Sequence, residues 1–433
     1  MSSQSNRRAP FVTSALLLAV LSTIAPAKTI YVDDDATGAN NGTSWTDAYT
    51  FLQEALADAR LAEKPVVIRV AQGTYKPDQG LVAIPEFDWR EATFQLINGV
   101  TLKGGFAGSK GSYPNTRDIQ AYLTILSGDL NGDDVEIADP EDLTDEPSRA
   151  ENSYHVVTGS GTDDTAVLDG LLITGGNAHL SGIWLEDERS PETNEKGGGA
   201  YNWQGNPTIT DCSFNRNSAR VGGGMHNSDS NLMLTNCIFS ENHAQEGGAI
   251  HNSGGSPTLI DCTINENAAN FGGGILNRSG SSPTLTNCNF TGNSAEWGGG
   301  ICDYGSDSTL TRCKFTGNSA GIGAGMSCFY GDSIVSHCIF SQNSAELKGG
   351  GVCCDDNRLT LANCTFSGNL SGTAGGMGTA EAGGIAHYHG STTVLNCILW
   401  NDGNEIWNDD GSPITVTYSN IQGGFPGEGN IDA

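Results

Sequence analysis

The stretch Leu285-Thr-Asn-Cys288-Asn-Phe290-Thr-Gly-Asn293 returns as Leu310-Thr-Arg-Cys313-Lys-Phe315-Thr-Gly-Asn318, and in looser form five more times. Its cysteine falls at Cys212, Cys237, Cys262, Cys288, Cys313, Cys338 and Cys364, a step of 25 or 26 residues, with an eighth at Cys397 after an insertion. Five residues after each of the first seven comes an asparagine, from Asn217 to Asn369. A fixed period of this length predicts a solenoid, in which each repeat buries its apolar side only against its neighbours. Such a fold offers long uniform surfaces, so special chemistry should appear as a break in the repeat.

An aliphatic residue stands three before every cysteine, from Ile209 to Val394, and Phe, Ile or Leu stands two after it. Cysteine and the following Phe share parity and point to one face of a strand. The aliphatic residue has the opposite parity, which requires a bend between them. The other half of each repeat reads Gly222-Gly-Gly-Met-His-Asn227 or Gly272-Gly-Gly-Ile-Leu-Asn277. A leucine-rich repeat would need helix there, where each glycine costs about 1 kcal/mol; glycines suit corners with positive φ instead. The aliphatic residue after the glycines, such as Met225 or Ile301, supplies a third inward strand. Three short strands per coil and no helix predict an all-β, right-handed parallel β-helix. Roughly a dozen coils would span about 55–60 Å at the usual strand spacing.

At a corner, the repeated asparagine can bond its own backbone and the coils on either side, so it is expected to form a ladder rather than a sugar-binding row. A second column, Asn202, Asn227, Asn252 and Asn277, is expected to do the same until Asp303, Cys328 and Cys354 interrupt it. The pairing of Gly-Gly-Ala/Ile with Phe-x-x-Asn resembles the polymorphic outer-membrane protein repeat associated with chlamydial surface proteins. Thr29-Ile-Tyr-Val-Asp-Asp-Asp35, Asn41-Gly-Thr-Ser-Trp45, Leu126-Ser-Gly-Asp-Leu-Asn-Gly-Asp133 and Asn152-Ser-Tyr-His-Val-Val157 are similar to segments of secreted bacterial β-helix proteins carrying such repeats. The resemblance implies a β-helix exported to the cell surface or outer membrane, with no settled activity; unlike the chlamydial proteins, this sequence shows no C-terminal autotransporter barrel.

Residues 1–27 read as an export signal: Arg7-Arg8, the apolar run Ser14 to Leu21, and the small-x-small site Ala25-Pro-Ala27. The run is too short for a span of about 20 residues. Residues 28–65 are expected to hold a strand and an amphipathic helix over about Thr46 to Ala62 that caps the solenoid. Residues 66–433 form the β-helix, with irregular coils over 66–196, regular ones over 197–400 and a last coil over 401–433. The net charge of −29 becomes −31 without the leader, which holds two arginines and no acids. That excludes nucleic acid as partner and favours neutral glycans, cell-envelope components or cations.

Twelve cysteines in an exported chain would ordinarily suggest disulfides. Ladder cysteines on adjacent strands, however, present parallel Cβ vectors that suit the bridge poorly. The eight are expected as buried thiols, and Cys328 with Cys354 is the one pair considered for a bridge. Val221, Phe271, Trp297, Ile322 and Leu347 form an apolar column at one corner, expected to pack the turn, with sugar stacking as the alternative. Glu246, Glu296 and Glu346 near that corner read as a solvated edge, and His226 and His251 as solvent-exposed.

Two acidic insertions, 128–151 and 186–196, are expected to be solvated and flexible. Within the first, Asp129, Asn131 and Asp133 resemble the first half of a calcium loop. Asp134 stands where that loop needs glycine and Pro140 where it needs glutamate. These three residues are the candidate metal ligands, with Ca²⁺ the candidate cofactor and none required. No carboxylate cluster of the kind hydrolysis needs appears on the regular strands. The leading expectation is therefore a non-catalytic protein of adhesion or envelope architecture. The alternative is a polysaccharide lyase or glycoside hydrolase with its site at the acidic loops. Finally, the last coil is expected to be uncovered, so that the chain continues or associates through it.

Overall fold

One coil shows how the repeat becomes structure. Met233–Thr235, Ile238–Ser240, His243–Glu246 and Ile250–Ser253 are short strands separated by sharp bends. Asn236 and Glu241 take φ of 53° and 54° at two bends, and Gly247 takes 69° at the third. One left-handed residue resets the pleat, so Leu234 and Cys237 both point inward although three positions apart, and both are fully buried. This is the bend that their opposite parity demands. At the glycine bend a Cβ on Gly222 would lie 2.4 Å from the Met225 carbonyl oxygen, so only glycine fits.

The computed structural model describes residues 27–82, 87–179, 192–372, 382–401, 405–408 and 410–432. The leader, apart from Ala27, and the insertion from 186 to 191 lie outside the described residues. Among the described residues, stacked coils make three parallel sheets of 22, 8 and 12 strands, the largest taking two strands from most coils. The twelve-stranded sheet marks the expected dozen coils. The expectation of three strands per coil is corrected to four. The additional strand, such as His243–Glu246, has alanine as its inward residue: Ala219, Ala244, Ala320 and Ala345 are all buried. Alanine left no aliphatic signal to read.

Inward positions align in columns through the core. Phe290, Phe315, Phe340 and Phe366 stack face to face with centroids 4.6–4.7 Å apart. The first asparagine column is a continuous ladder. Asn242 Nδ2 donates to Asn267 Oδ1 at 2.9 Å and to the Phe214 carbonyl at 2.9 Å, while Asn267 Oδ1 also accepts the Asn242 backbone N–H. The pattern continues past Asn369 to Asn401, whose amide donates to Glu405 at 2.6 Å. The second column behaves alike: Asn202, Asn227, Asn252 and Asn277 pass donors forward at 2.8–2.9 Å.

The second ladder ends on Asp303, which also accepts from Ser308 and Ser333. Asp303 was expected as an interruption; it is the terminal acceptor. An amide chain that donates in one direction needs an acceptor-only group at its far end, and a carboxylate supplies one. Burial pushes the Asp303 carboxyl up to about 6, against the pull of its three hydrogen-bond donors.

The eight ladder cysteines are buried and unbridged, as expected. Cys328 and Cys354, on adjacent strands with Cα atoms 4.6 Å apart, form a disulfide. At the start, Lys28–Val32 pairs in register with Val66–Val70, so it is itself the first rung. The capping helix covers Leu52–Leu61 and buries Leu52, Ala55, Leu56 and Ala59; it is shorter than expected. Trp45 packs instead on Tyr31 and Phe106, and Tyr49 bonds the backbone of the first strand. The last coil is covered, contrary to expectation. Residues 423–432 fold back, Phe425 packs on the core, and the Asn430 side chain accepts from Ser419 N and donates to Val416 O.

Candidate functional site: an aromatic edge beside a buried histidine stack

At the glycine bend, two consecutive strands of each coil share one long edge of the solenoid. Val221, Glu246, Phe271, Trp297 and Ile322 align in one column along it. Lys348, not Leu347, continues the column, because the register shifts there. A second column runs Tyr201, His226, His251, Leu276 and Cys302. A third runs Trp203, Ser228, Ser253, Arg278, Tyr304 and Phe329.

His226 and His251 are buried, at 3% and 4% exposure, not solvent-exposed. The glycine bend folds over them: a Cβ on Gly247 would meet the His251 Cβ at 2.9 Å. Their rings stack at 4.9 Å, and Tyr201 and His155 extend the pile. Glu246 is no solvated edge either. Arg278 Nη1 donates to it at 2.8 Å and His251 Nε2 lies 3.5 Å away. His251 and Arg278 together hold its carboxyl down at about 2. Glu296 and Glu346 are exposed as expected.

Burial holds the histidines neutral, with His155 down to about 4 and His226 and His251 also lowered. Unfolded, each takes a proton near pH 6.5. Between about pH 6.5 and 4 the unfolded chain therefore binds more of these protons, and stability falls as pH drops. Asp303 works the other way, because its folded pKa is raised and protonation favours the fold. The contribution of these three histidines is therefore a melting temperature that falls from pH 7 to pH 5. Thermal melts of His226→Phe with His251→Phe should show a shallower slope; an unchanged slope would contradict the assignment.

Beyond the histidines the edge becomes aromatic. Trp297 packs edge-on against Phe329 at 5.3 Å, over Leu276 and Cys302. Tyr304 meets Tyr330 at 5.5 Å, and the Arg278 guanidinium lies 5.4 Å from the Tyr304 ring. Trp203, Phe271, Tyr304 and Tyr330 are 40–56% exposed. Further along, Lys348 Nζ sits 4.0 Å from the Tyr388 ring, itself 4.9 Å from Trp407. Val221 and Trp297 thus pack the turn as expected, while their neighbours present flat rings and polar tips outward. Such rings can stack on the apolar faces of sugars while hydroxyl, indole and guanidinium groups hydrogen-bond.

The acidic loop 128–151 is not a free solvated segment. It makes two 3₁₀ turns, Pro140–Thr144 and Pro147–Arg149, and docks on the coils. Leu143 and Arg149 are buried, Arg149 pairs with Asp134 at 3.1 Å, and Thr144 Oγ1 bonds His243 Nδ1 at 2.9 Å. Of the candidate metal ligands, Asp129 and Asp133 come together and Asn131 is exposed. The Asp129 carboxylate accepts the backbone N–H groups of Gly132, Asp133 and Asp134. Glu151, missed from sequence, completes a trio with carboxylate oxygens within 4.8 Å of one another. Burial, then Asp133, raises its carboxyl.

A family model described as right handed beta helix region matches residues 225–399. Among solved structures, pectate lyase Pel9A is similar, with 14% identity, TM-score 0.40, and coverage of 93% of this chain and 80% of that one. The A-module of Azotobacter vinelandii mannuronan C-5 epimerase AlgE6 is 12% identical, with TM-score 0.41 and coverage of 88% and 93%. Pectin methylesterase PemA from Erwinia chrysanthemi is 11% identical, with TM-score 0.24 and coverage of 94% and 92%. A search of curated proteins finds no match. No helix among the described residues is long and apolar enough to cross a membrane. The chain is a right-handed parallel β-helix.

Proposed function

We propose that this is an exported, secreted or surface-attached β-helix protein of the polymorphic-repeat type, working by glycan contact in adhesion or envelope architecture rather than by catalysis. The observation that carries the reading is the aromatic cluster of Trp297, Phe329, Tyr304 and Tyr330, its two tyrosines about half exposed and Arg278 set against the Tyr304 ring. The net charge of −29 argues for a neutral glycan over a uronate and against nucleic acid. Affinity electrophoresis through gels carrying neutral or uronic polysaccharides tests it. Retardation is expected in a neutral gel, and Tyr304→Ala with Tyr330→Ala should remove it. Equal mobility in every gel would sink the proposal.

One observation favours a second reading, a glycan-active enzyme: the raised Glu151 carboxyl beside Asp129 and Asp133 has the form of an acid next to carboxylates. Chain cleavage lost in Glu151→Gln would establish it. The same trio is where Ca²⁺ would bind. Millimolar Ca²⁺ is then expected to raise the melting temperature, and Asp129→Ala with Asp133→Ala to remove the gain. No shift would leave a charged loop held by Leu143, Arg149 and the Thr144–His243 bond without a metal.

A further inference from the structure

We propose that the threonine-lined outer face of the largest sheet binds ice. Nine consecutive strands, from Thr208–Thr210 to Ile414–Thr417, stack here in register without a slip. Each presents two outward residues that flank one buried aliphatic, such as Ile209, Leu285 or Leu310. Thr208 and Thr210, Thr284 and Thr286, and Thr309 and Thr311 are complete pairs. Of the eighteen outward positions, twelve are threonine, one is serine and five are apolar. None is charged, in a chain with 50 acids and 21 bases. Charges border the array without entering it: Asp332 and Arg358 stand at the outer ends of their strands, paired at 3.2 Å, and the column beyond Thr210 runs on to Asp169 and Lys103.

Its geometry is a two-dimensional lattice. Rows repeat at about 4.8 Å along the solenoid and about 6.7 Å along each strand, close to the oxygen repeats on the prism faces of hexagonal ice. β-Branching fixes the threonine rotamers, and the asparagine ladders fix the rungs that carry them. Hydroxyl contacts also cross between coils, as from Thr311 to Ser336 at 3.2 Å. Hydroxyls can then occupy lattice positions while the methyl groups order the water between rows. The apolar interruptions, such as Met233 and Ile334, preserve the neutral surface. A soluble molecule needs a groove to hold it, whereas a crystal face needs a flat, rigid, periodic one. The inference stands apart from the glycan reading, which uses a different edge.

The test is nanolitre osmometry with ice-recrystallisation assays on the purified chain. Faceted crystals and a freezing–melting gap that grows with concentration are expected. Thr286→Lys with Thr311→Lys, both outward and so compatible with an unchanged circular-dichroism spectrum, should shrink the gap several-fold. Asn265→Lys, on another sheet, should leave it intact. Crystals that grow as in buffer would overturn the proposal, as would a gap indifferent to the lysine pair. So would lysine-sensitive capture by an insoluble neutral polysaccharide without any effect on ice.

Discussion

Replacing Asn293 by alanine is expected to destabilise the regular coils by about 3–5 kcal/mol, since buried groups left unpaired cost about 1–3 kcal/mol each. Asn293 Oδ1 accepts the backbone N–H of Asn267 at 3.1 Å, and its Nδ2 donates to the Ile264 carbonyl at 2.9 Å. Both partners lie inside the corner, out of reach of water. The neighbouring ladder amides are less affected: Asn267 Nδ2 keeps Phe239 O, and Asn318 Oδ1 keeps the Asn293 N–H. A coil contacts chiefly its neighbours, so the damage should begin locally. Urea unfolding, with hydrogen exchange read at residues 262–318, would report it. A loss under about 1 kcal/mol would mean that water or backbone adjustment satisfies the corner without the amide.

Phe315→Ala is the second large effect, about 3–5 kcal/mol, as for a large aromatic truncated in a packed core. Phe315 is fully buried and stacks at 4.6 Å on Phe290 below and Phe340 above, so truncation opens a cavity that two rigid rings cannot collapse into. Phe271→Ala offers the contrast. It removes a ring of the same kind from an exposed position and should change stability by under about 0.5 kcal/mol. Melting curves of the two variants separate core stacking from surface display; equal losses would refute the division.

The repeat made the fold legible because burial imposes one residue type per column. Leu234, Cys237, Phe239 and Asn242 each do a job that few side chains can do, so they recur. The strand His243–Glu246 was not legible, because its inward Ala244 is small and its outward residues vary. The eighth ladder rung, Asn401, follows its cysteine by four residues rather than five and so escaped the spacing rule.

The candidate edge was harder still. His226 and His251 occupy outward positions by parity, and only the glycine bend folding over them makes them buried. The link from Glu246 to Arg278 spans 32 residues and is visible only once adjacent coils are superposed. Glu151 reaches Asp129 through two 3₁₀ turns that no local pattern announced. Glu246 standing in the Val221 and Phe271 column was the one available signal, a charge where neighbours are apolar.

The central claim, binding without catalysis at the aromatic edge, is tested most directly by one incubation series. The purified chain is mixed with a panel of neutral and uronic polysaccharides, and bound protein and product length are followed together. The account predicts saturable binding to a neutral glycan, loss of that binding in Tyr304→Ala with Tyr330→Ala, and unchanged polymer length throughout. Shortened or unsaturated products that vanish with Glu151→Gln would contradict it and place the function at the acidic loop.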